Sequence, residues 1–201
     1  MMGFVVPWMF LDVGAPLCPV LFATDAQGVN DLDAGGFGIV ARAAPPPMIQ
    51  RVFEQGSCVG RTVSRLSGDL SGLRRPERAI TPTVPFTLLP ADLFVLAEWL
   101  EVDRGRWLFE DHVTLGESRA VIRLLDILTR SHLFYRMRLQ SLQDNQPTAG
   151  AFAKGRSPSP ALNYLLRRRA ARTLASSLRL MLPWVESCKM PADESSRISD
   201  Q

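Results

Sequence analysis

Four acidic residues occupy positions where protein folds commonly hold metal ions. Asp25 follows the apolar run PVLFAT and Asp144 follows the segment RLQSLQ, so both are predicted to lie just past strands. Glu117 lies at the start of a helical pattern, and Asp193 begins another after the last predicted strand. Carboxylates are the oxygen ligands that Mg²⁺ prefers, and two such ions can activate a water and stabilise the leaving oxygen of a phosphodiester. The four acids therefore predict a divalent-metal site with phosphodiester chemistry.

Glu117 is the acid whose surroundings are most unusual. Its neighbours at helical spacing are Ala120, Leu124 and Leu125, so its side chain is predicted to face the core with them. A carboxylate on that face is costly unless a cation or hydrogen bonds compensate its charge. A metal site supplies such a cation.

The other acids also have structural interpretations when each is taken alone. Asp25 could be a turn residue, and Asp193 could cap a helix. The Asp144-Asn145 step is likewise a good helix cap. The metal-site hypothesis depends on the four acids occurring together.

The elements that must position these acids follow from apolar periodicity. Strands are predicted at 19–24, 35–43, 106–110, 137–142 and 180–185, and helices at 91–101, 115–133, 147–153, 160–182 and 191–197. We expect a linker-like segment at 1–18, one domain over 19–197 with a loop-rich insertion at 44–105, and a frayed tail at 198–201. The order of strands and helices predicts a mixed α/β domain with hairpin and crossover connections.

Composition excludes several classes of protein. The chain has 201 residues, 46% hydrophobic and 21% charged, which is typical of one globular domain and too apolar for a disordered chain. Three scattered cysteines without a CxxC pair and only two histidines argue against a disulfide framework and a structural zinc site. The apolar start is interrupted by Asp12 and lacks a basic segment, so neither a signal peptide nor a membrane-spanning helix is expected.

Positive charge is concentrated in one part of the chain. Residues 117–182 hold 12 basic and 3 acidic groups, whereas the whole chain has a net charge of only +3. The basic groups are 21 Arg and 2 Lys, and the planar arginine fork suits phosphate oxygens. This block indicates a polyanionic partner. The alternative is arginine usage that reflects the nucleotide composition of the gene.

Four segments of the chain together resemble a known family. They are TDA followed by GGFGIV, then LGESRAVIRLLDIL, LQDNQPTAGAFAKGRS and WVESCKMPADESSR. In this order, each with its acid, they are similar to the ribonuclease H-like domain of DIRS-like retroelement reverse transcriptases. The resemblance covers residues 19–43 and 106–197. It implies a ribonuclease H-like fold, with a mixed five-stranded sheet and flanking helices.

The resemblance also implies a role for individual residues. Asp25 would bridge two Mg²⁺ ions, which Mn²⁺ could replace; Glu117 and Asp144 would complete one metal position and Asp193 the other. Asn145 would touch the nucleic acid or support Asp144. Phosphates would be contacted by a basic set: Lys154, Arg156, Arg167, Arg168, Arg169 and Arg172. A solvated outer helix face is the alternative interpretation of the arginines after residue 160.

The sequence departs from the family pattern in three ways. Glu117 follows Asp25 by 92 residues, a gap that the 44–105 insertion explains. No histidine lies between Asp144 and Asp193, where many relatives have one that assists product release, and Met190 stands where an Asn is common. His112 and His132 flank the glutamate helix, and we expect structural roles for both.

The resemblance implies a metal-dependent endonuclease that cuts the RNA strand of RNA–DNA hybrids. The alternatives are a catalytically decayed nucleic-acid-binding module of the same fold, and another nuclease or recombinase on that fold. With no polymerase domain in the sequence, the chain is interpreted as detached from a retroelement reverse transcriptase, and a reverse transcriptase domain encoded separately is a further expected partner. We expect an intracellular protein, in cytoplasm or nucleus, without a membrane partner.

Overall fold

The computed structural model describes residues 14–28, 35–59, 91–108 and 111–197. Within this part of the chain one mixed sheet has five strands in the order β3-β2-β1-β4-β5. The strands are β1 (Leu17–Gln27), β2 (Gly36–Ala43), β3 (Leu100–Arg106), β4 (Arg138–Leu142) and β5 (Arg179–Met181). β1, β2 and β3 form an antiparallel meander, whereas β4 and β5 lie parallel to β1. The predicted mixed five-stranded sheet is thus confirmed.

Five helices accompany the sheet in the described residues. They are α1 (Pro46–Val59), α2 (Val113–Leu128), α3 (Gln146–Lys154), α4 (Pro160–Ser176) and α5 (Asp193–Ser196). Short 3-10 turns at Ala91–Phe94, Leu96–Glu98, His132–Phe134 and Ser187–Lys189 complete the regular structure.

The central strand β1 is covered on both faces. Its residues 21 to 26 are all buried, as expected for a strand between two layers of helix. One core cluster joins Phe22 of β1 to Leu124 of α2 and Leu165 of α4. The other joins Leu21 of β1 to Val52 of α1. The sheet is therefore sandwiched between α2 and α4 on one face and α1 on the other.

The segment predicted as a loop-rich insertion contains two elements of the domain. The triplet Pro45-Pro46-Pro47, predicted to end β2, does so but also begins α1, because proline is tolerated in the first turn of a helix. The helix predicted at 91–101 is wrong: that region forms two 3-10 turns and then enters β3. The third strand was expected at 106–110 and instead spans Leu100–Arg106.

Other boundaries differ more modestly. β1 extends to Gln27, so Asp25 lies inside a strand and not after it. α2 ends at Leu128, five residues before the predicted end. α4 ends at Ser176, where Ser177 adopts a left-handed conformation (φ 52°) that turns the chain into β5. Residues 1–13 and 198–201, predicted as part of a linker and as a tail, lie outside the described residues.

Cys18 is a buried free thiol and Cys188 an exposed one. No described helix is long and apolar enough to cross a membrane.

Candidate metal centre

Three of the four predicted acids converge at one end of the sheet. Asp25 is near the carboxyl end of β1, Asp144 follows the parallel strand β4, and Glu117 is in the first turns of α2. One carboxylate oxygen from each lies within 4.8 Å of the others. This juxtaposition follows from the sheet, because β1 and β4 are adjacent parallel strands whose carboxyl ends meet at the same edge.

Asp25 is held in a largely dry position. It is 6% exposed, and Ser196 Oγ donates a 2.5 Å hydrogen bond to its Oδ2. The pKa of Asp25 is raised to about 6, mainly by burial; the hydrogen bond from Ser196 lowers it, and the neighbouring Asp144 and Asp193 raise it. A nearby cation would favour the ionised form of this carboxyl.

The pKa of Glu117 is raised further than that of Asp25. The residue is 3% exposed, which confirms the prediction that it faces inward. Its pKa is raised to about 9, mainly by burial and also by the neighbouring Asp25, against the lowering effect of a 2.8 Å hydrogen bond from Gln143 Nε2. Three carboxylates in such proximity repel one another, and a divalent cation between them would remove that repulsion. The oxygen donor set fits Mg²⁺ or Mn²⁺.

Asp193 lies beside this cluster and is not part of it. It is the first residue of α5, close enough to raise the pKa of Asp25. Its Oδ1 accepts hydrogen bonds from Arg197 Nη2 and Nε at 3.0 and 3.1 Å. Its assignment as a metal ligand stays a prediction.

Several polar residues that sequence reasoning missed surround the acids. Gln143 is fully buried; its amide donates to Glu117, and its Oε1 accepts from Thr24 Oγ1 at 3.3 Å. Trp184 Nε1 donates to the backbone carbonyl of Asp144 at 2.7 Å. Gln143 directly precedes Asp144 in the chain, and that adjacency was the only signal that could have identified it.

Asn145 is the N-cap of α3. Its side-chain oxygen accepts a 3.0 Å hydrogen bond from the backbone N–H of Thr148, so the capping interpretation of the Asp144-Asn145 step is the one the geometry supports. Thr148 itself lies against α2, where its hydroxyl is 3.3 Å from the Thr114 carbonyl oxygen.

A groove of about 880 Å³ lies between α2, α3 and the start of α4. Thr114 and Gln146, which line it, are three and two residues from Glu117 and Asp144 in the chain, and Lys154 and Arg156 also line it. Both basic side chains are exposed. His112 also lines the groove and caps α2 by accepting from the Thr114 N–H, which gives it the expected structural role.

The arginines of α4 do not form one uniform surface. Arg172 and Arg168 form ion pairs with Asp126 of α2 and so join the two helices. Arg169 donates to the Phe152 carbonyl at 2.7 Å and to the Leu180 carbonyl at 3.4 Å, and burial lowers the pKa of its guanidinium. Arg167 is exposed. The alternative interpretation of a plain solvated face thus fits Arg167, whereas the other three have partners inside the fold.

His132 and Met190, both noted in the sequence, differ in burial. His132 is exposed and its ring lies 4.8 Å from that of Tyr135. Met190 is 4% exposed and belongs to the core on the α1 face of the sheet.

Comparison with known proteins finds similarity in structure only. No protein family matches the sequence, and no curated protein matches it. Among solved structures, LC11-RNase H1, isolated from compost by a metagenomic approach, is similar at 12% identity with a TM-score of 0.49, over 88% of this chain and 94% of that one. The same protein in complex with an RNA/DNA hybrid gives 13% identity and a TM-score of 0.49, over 88% and 92%.

The N-terminal RNase H domain of a Mycobacterium tuberculosis protein, solved as a fusion with maltose-binding protein, gives 16% identity and a TM-score of 0.48, over 88% and 89% of the two chains. At identities this low, the chemistry of the present chain has to follow from its own residues.

Proposed function

We propose that this chain is a metal-dependent endonuclease of the ribonuclease H type, which hydrolyses the RNA strand of RNA–DNA hybrids. The observation that carries the proposal is the convergence of Asp25, Glu117 and Asp144: one carboxylate oxygen of each lies within 4.8 Å of the others, with the first two residues buried and the third half-buried. Carboxylates are rarely gathered in this way without a compensating cation.

The same residues would hold the metal. Asp25, Glu117 and Asp144 would bind one Mg²⁺ or Mn²⁺, and Asp25 with Asp193 would bind a second. When bound, such ions lower the pKa of a water and stabilise the leaving oxygen of a phosphodiester. Gln143 and Ser196 would orient the carboxylates, since each donates a hydrogen bond to one of them.

The groove between α2, α3 and the start of α4 offers a path for a nucleic acid. Phosphates of one strand would follow it from Thr114 toward Lys154 and Arg156, whose charges favour a polyanion. The exposed Arg167 would extend this track, and the side-chain amide of Asn145 would stand at the edge of the metal centre. An RNA–DNA hybrid would be recognised by its shape and its 2′-hydroxyls and not by its base sequence.

The decisive experiment is cleavage of an end-labelled RNA–DNA hybrid in Mg²⁺ and in Mn²⁺. Asp25→Asn should abolish cleavage, because the amide keeps the shape of the side chain and removes the charge that binds the cation. Asp103→Asn is the matched control, since Asp103 is on the edge strand β3, pairs with Arg123 at 2.7 Å and is not among the three clustered acids. The control should cut at the wild-type rate. Cleavage that survives in Asp25→Asn would refute the proposal.

One observation favours a second candidate, the catalytically decayed binding module. Asp193 is turned toward Arg197 and lies outside the cluster of three acids, so the second metal position is incomplete as it stands. A folded wild-type chain that binds the hybrid but does not cut it in either metal would establish this candidate. Preferential cutting of duplex DNA would instead indicate another nuclease or recombinase.

We further propose that the chain derives from a DIRS-like retroelement. The support is the ordered set of segments from TDA to WVESCKMPADESSR, each with one of the four acids. A separately encoded reverse transcriptase domain and an intracellular location, in cytoplasm or nucleus, belong to this proposal. Stimulation of hybrid cleavage by an added reverse transcriptase of this class would support it, and indifference to that protein would count against it.

A further inference from the structure

α5 is too short to hold its own position. It spans Asp193–Ser196, a single turn, and one turn of helix is not stable without tertiary contacts. Yet it carries the fourth acid of the proposed site, at its first residue. Whatever fixes α5 on the sheet therefore also fixes Asp193.

α5 contacts β1, β2 and β3, and two of its close contacts involve Ser196. The first is with the backbone of β2: a Cβ built on Gly38 would lie 2.6 Å from Ser196 N and 2.7 Å from the carbonyl carbon of Ser195. Only a glycine permits this close approach. Gly38 is also the residue directly opposite Asp25 in the antiparallel ladder, so α5 is seated over the strand pair that carries Asp25.

The second contact is made by the Ser196 hydroxyl. Its Oγ lies 2.5 Å from Asp25 Oδ2 and 2.9 Å from the carbonyl oxygen of Asp193, and the side chain is 1% exposed. This one hydroxyl therefore spans the first residue of α5 and the acid at the centre of the cluster. The adjacent Ser195 is partly exposed, and its hydroxyl makes no such bond to Asp25.

From this geometry we propose that Ser196 is a positioning residue for the metal centre. Its hydroxyl ties α5 to Asp25 and so sets where Asp193 stands relative to Asp25, Glu117 and Asp144. The inference rests on the proposed metal-dependent function. Without this tie, α5 and the Asp193 at its first residue lose their fixed place beside the three acids.

The test is Mn²⁺ binding by the whole chain, measured by titration calorimetry for wild type, Ser196→Ala and the matched control Ser195→Ala. We expect Ser196→Ala to bind Mn²⁺ about tenfold more weakly, the size of effect typical of losing a hydrogen bond to a charged group. Ser195→Ala should stay within about twofold of wild type, as a substitution without a lost partner. Equal affinities in the two variants would overturn the inference.

A readout beyond affinity separates positioning from loss of stability. Amide hydrogen exchange should accelerate across α5 in Ser196→Ala and leave β1 protected, and hybrid cleavage should lose kcat with little change in KM. Ser196→Thr retains the hydroxyl and should bind Mn²⁺ within about threefold of wild type even if the alanine variant does not fold. A folded threonine variant that binds as weakly as Asp25→Asn would contradict the proposal.

The outcomes for Ser196 and for the nuclease are distinguishable. If wild type binds Mn²⁺ but cuts no hybrid, the nuclease proposal fails while the relative affinities still decide the role of Ser196. If wild type binds no Mn²⁺ at all, both proposals fail.

Discussion

Gln143 Nε2 donates a 2.8 Å hydrogen bond to Oε2 of Glu117, and both side chains are buried. The amide is itself fixed, because its oxygen accepts from Thr24 and its backbone is paired with Pro183 and Val185. The orientation of a carboxylate on α2 is thus set by the end of β4, across the edge of the sheet where the acids meet. A rigid donor of this kind holds a metal ligand in one rotamer.

Replacing Gln143 with methionine should therefore affect the metal centre specifically. Gln143→Met keeps the volume of the side chain and removes the donor to Glu117. Gln140→Met is the matched control, since Gln140 is also buried, on β4, and donates at 3.0 Å to the Ile49 carbonyl on the α1 side. Each variant should lower the free energy of unfolding by about 1–3 kcal/mol, as expected for losing a buried hydrogen bond. Only Gln143→Met should weaken Mn²⁺ binding, measured by calorimetry; equal weakening in both would mean that Gln143 only supports the fold.

The stability of the metal-free chain should fall as the pH rises. Burial raises the pKa of Asp25 to about 6 and that of Glu117 to about 9, both above the values of an unfolded chain. The folded chain then binds more protons than the unfolded chain, so the stability from these groups is present below about pH 4 and is lost as the pH rises through about 6 and about 9. Melting in EDTA should therefore occur at lower temperature at about pH 8 than at about pH 5.

Substitution of Glu117 should remove much of that pH dependence. Glu117→Gln has no charge to bury, so its melting temperature should change less between these two pH values than that of wild type. Glu101 is an exposed acid on β3, and Glu101→Gln should leave the change in melting temperature between these pH values as it is in wild type. If the melting temperature of Glu117→Gln changed with pH as much as that of wild type, the Glu117 carboxyl would not be the cause of the pH dependence.

Addition of Mn²⁺ should reverse the pH trend. A cation binds the ionised carboxylates in competition with protons, so its stabilising effect should be larger at about pH 8 than at about pH 5. A concentration about 100 times the dissociation constant should add about 2.7 kcal/mol to the free energy of unfolding. Calorimetric melting with and without the metal measures the stabilisation and its dependence on pH. Asp25→Asn should show neither. The same rise in melting temperature at both pH values would argue against binding by these acids.

A methyl group at Gly38 should displace α5. Gly38→Ala directs a Cβ at backbone atoms 2.6 and 2.7 Å away, and backbone cannot move aside as a flexible side chain can. We expect a loss of about 1–3 kcal/mol, the usual range for inserting an atom into a packed site. Gly150→Ala is the control: nothing lies within 4 Å of its Cβ inside α3, so it should be neutral or stabilise the helix by about 1 kcal/mol. Chemical denaturation of the two variants gives the comparison.

The basic side chains along the groove should contribute to affinity through charge alone. Lys154→Ala and Arg156→Ala should each weaken hybrid binding and lower the slope of log K against log salt by about 1 if each contacts one phosphate. Arg130→Ala removes an exposed arginine just past the C-terminal end of α2 and should leave the slope unchanged. Fluorescence anisotropy at several salt concentrations gives these slopes. Equal slopes for all variants would place the nucleic acid elsewhere.

Local sequence patterns predicted several elements of the fold and the direction of one acid correctly. The apolar spacing after residue 115 identified α2 and the inward direction of Glu117, because a helix repeats every 3.6 residues and its apolar stripe must be buried. β2, β4 and α3 were predicted within about two residues, since strong apolar runs and turn residues bound them. The acids could be identified because burying a carboxylate beside apolar residues costs free energy unless a cation or hydrogen bonds compensate its charge.

Other features depended on contacts between distant parts of the chain. β3 has the sequence LEVDRGR, which shows little apolar alternation. An edge strand exposes much of its surface, so few of its residues need to be apolar. Its pairing with β2 is what makes this segment a strand. Asp25 became part of β1 because Gly38 pairs with it. The arginines of α4 are alike in sequence, yet packing on α2 and α3 divides them into ion pairs, a half-buried donor and an exposed cation.

The hydrogen-bond partners of the acids were the hardest feature to predict from the sequence. Gln143 is 26 residues from Glu117, and Ser196 is 171 residues from Asp25. Glutamine and serine have no chemical signature of their own, and a hydrogen bond forms wherever the fold places a donor against a buried acceptor. The sequence by itself therefore determined which residues could bind a metal, and the tertiary structure decided which side chains hold them in place.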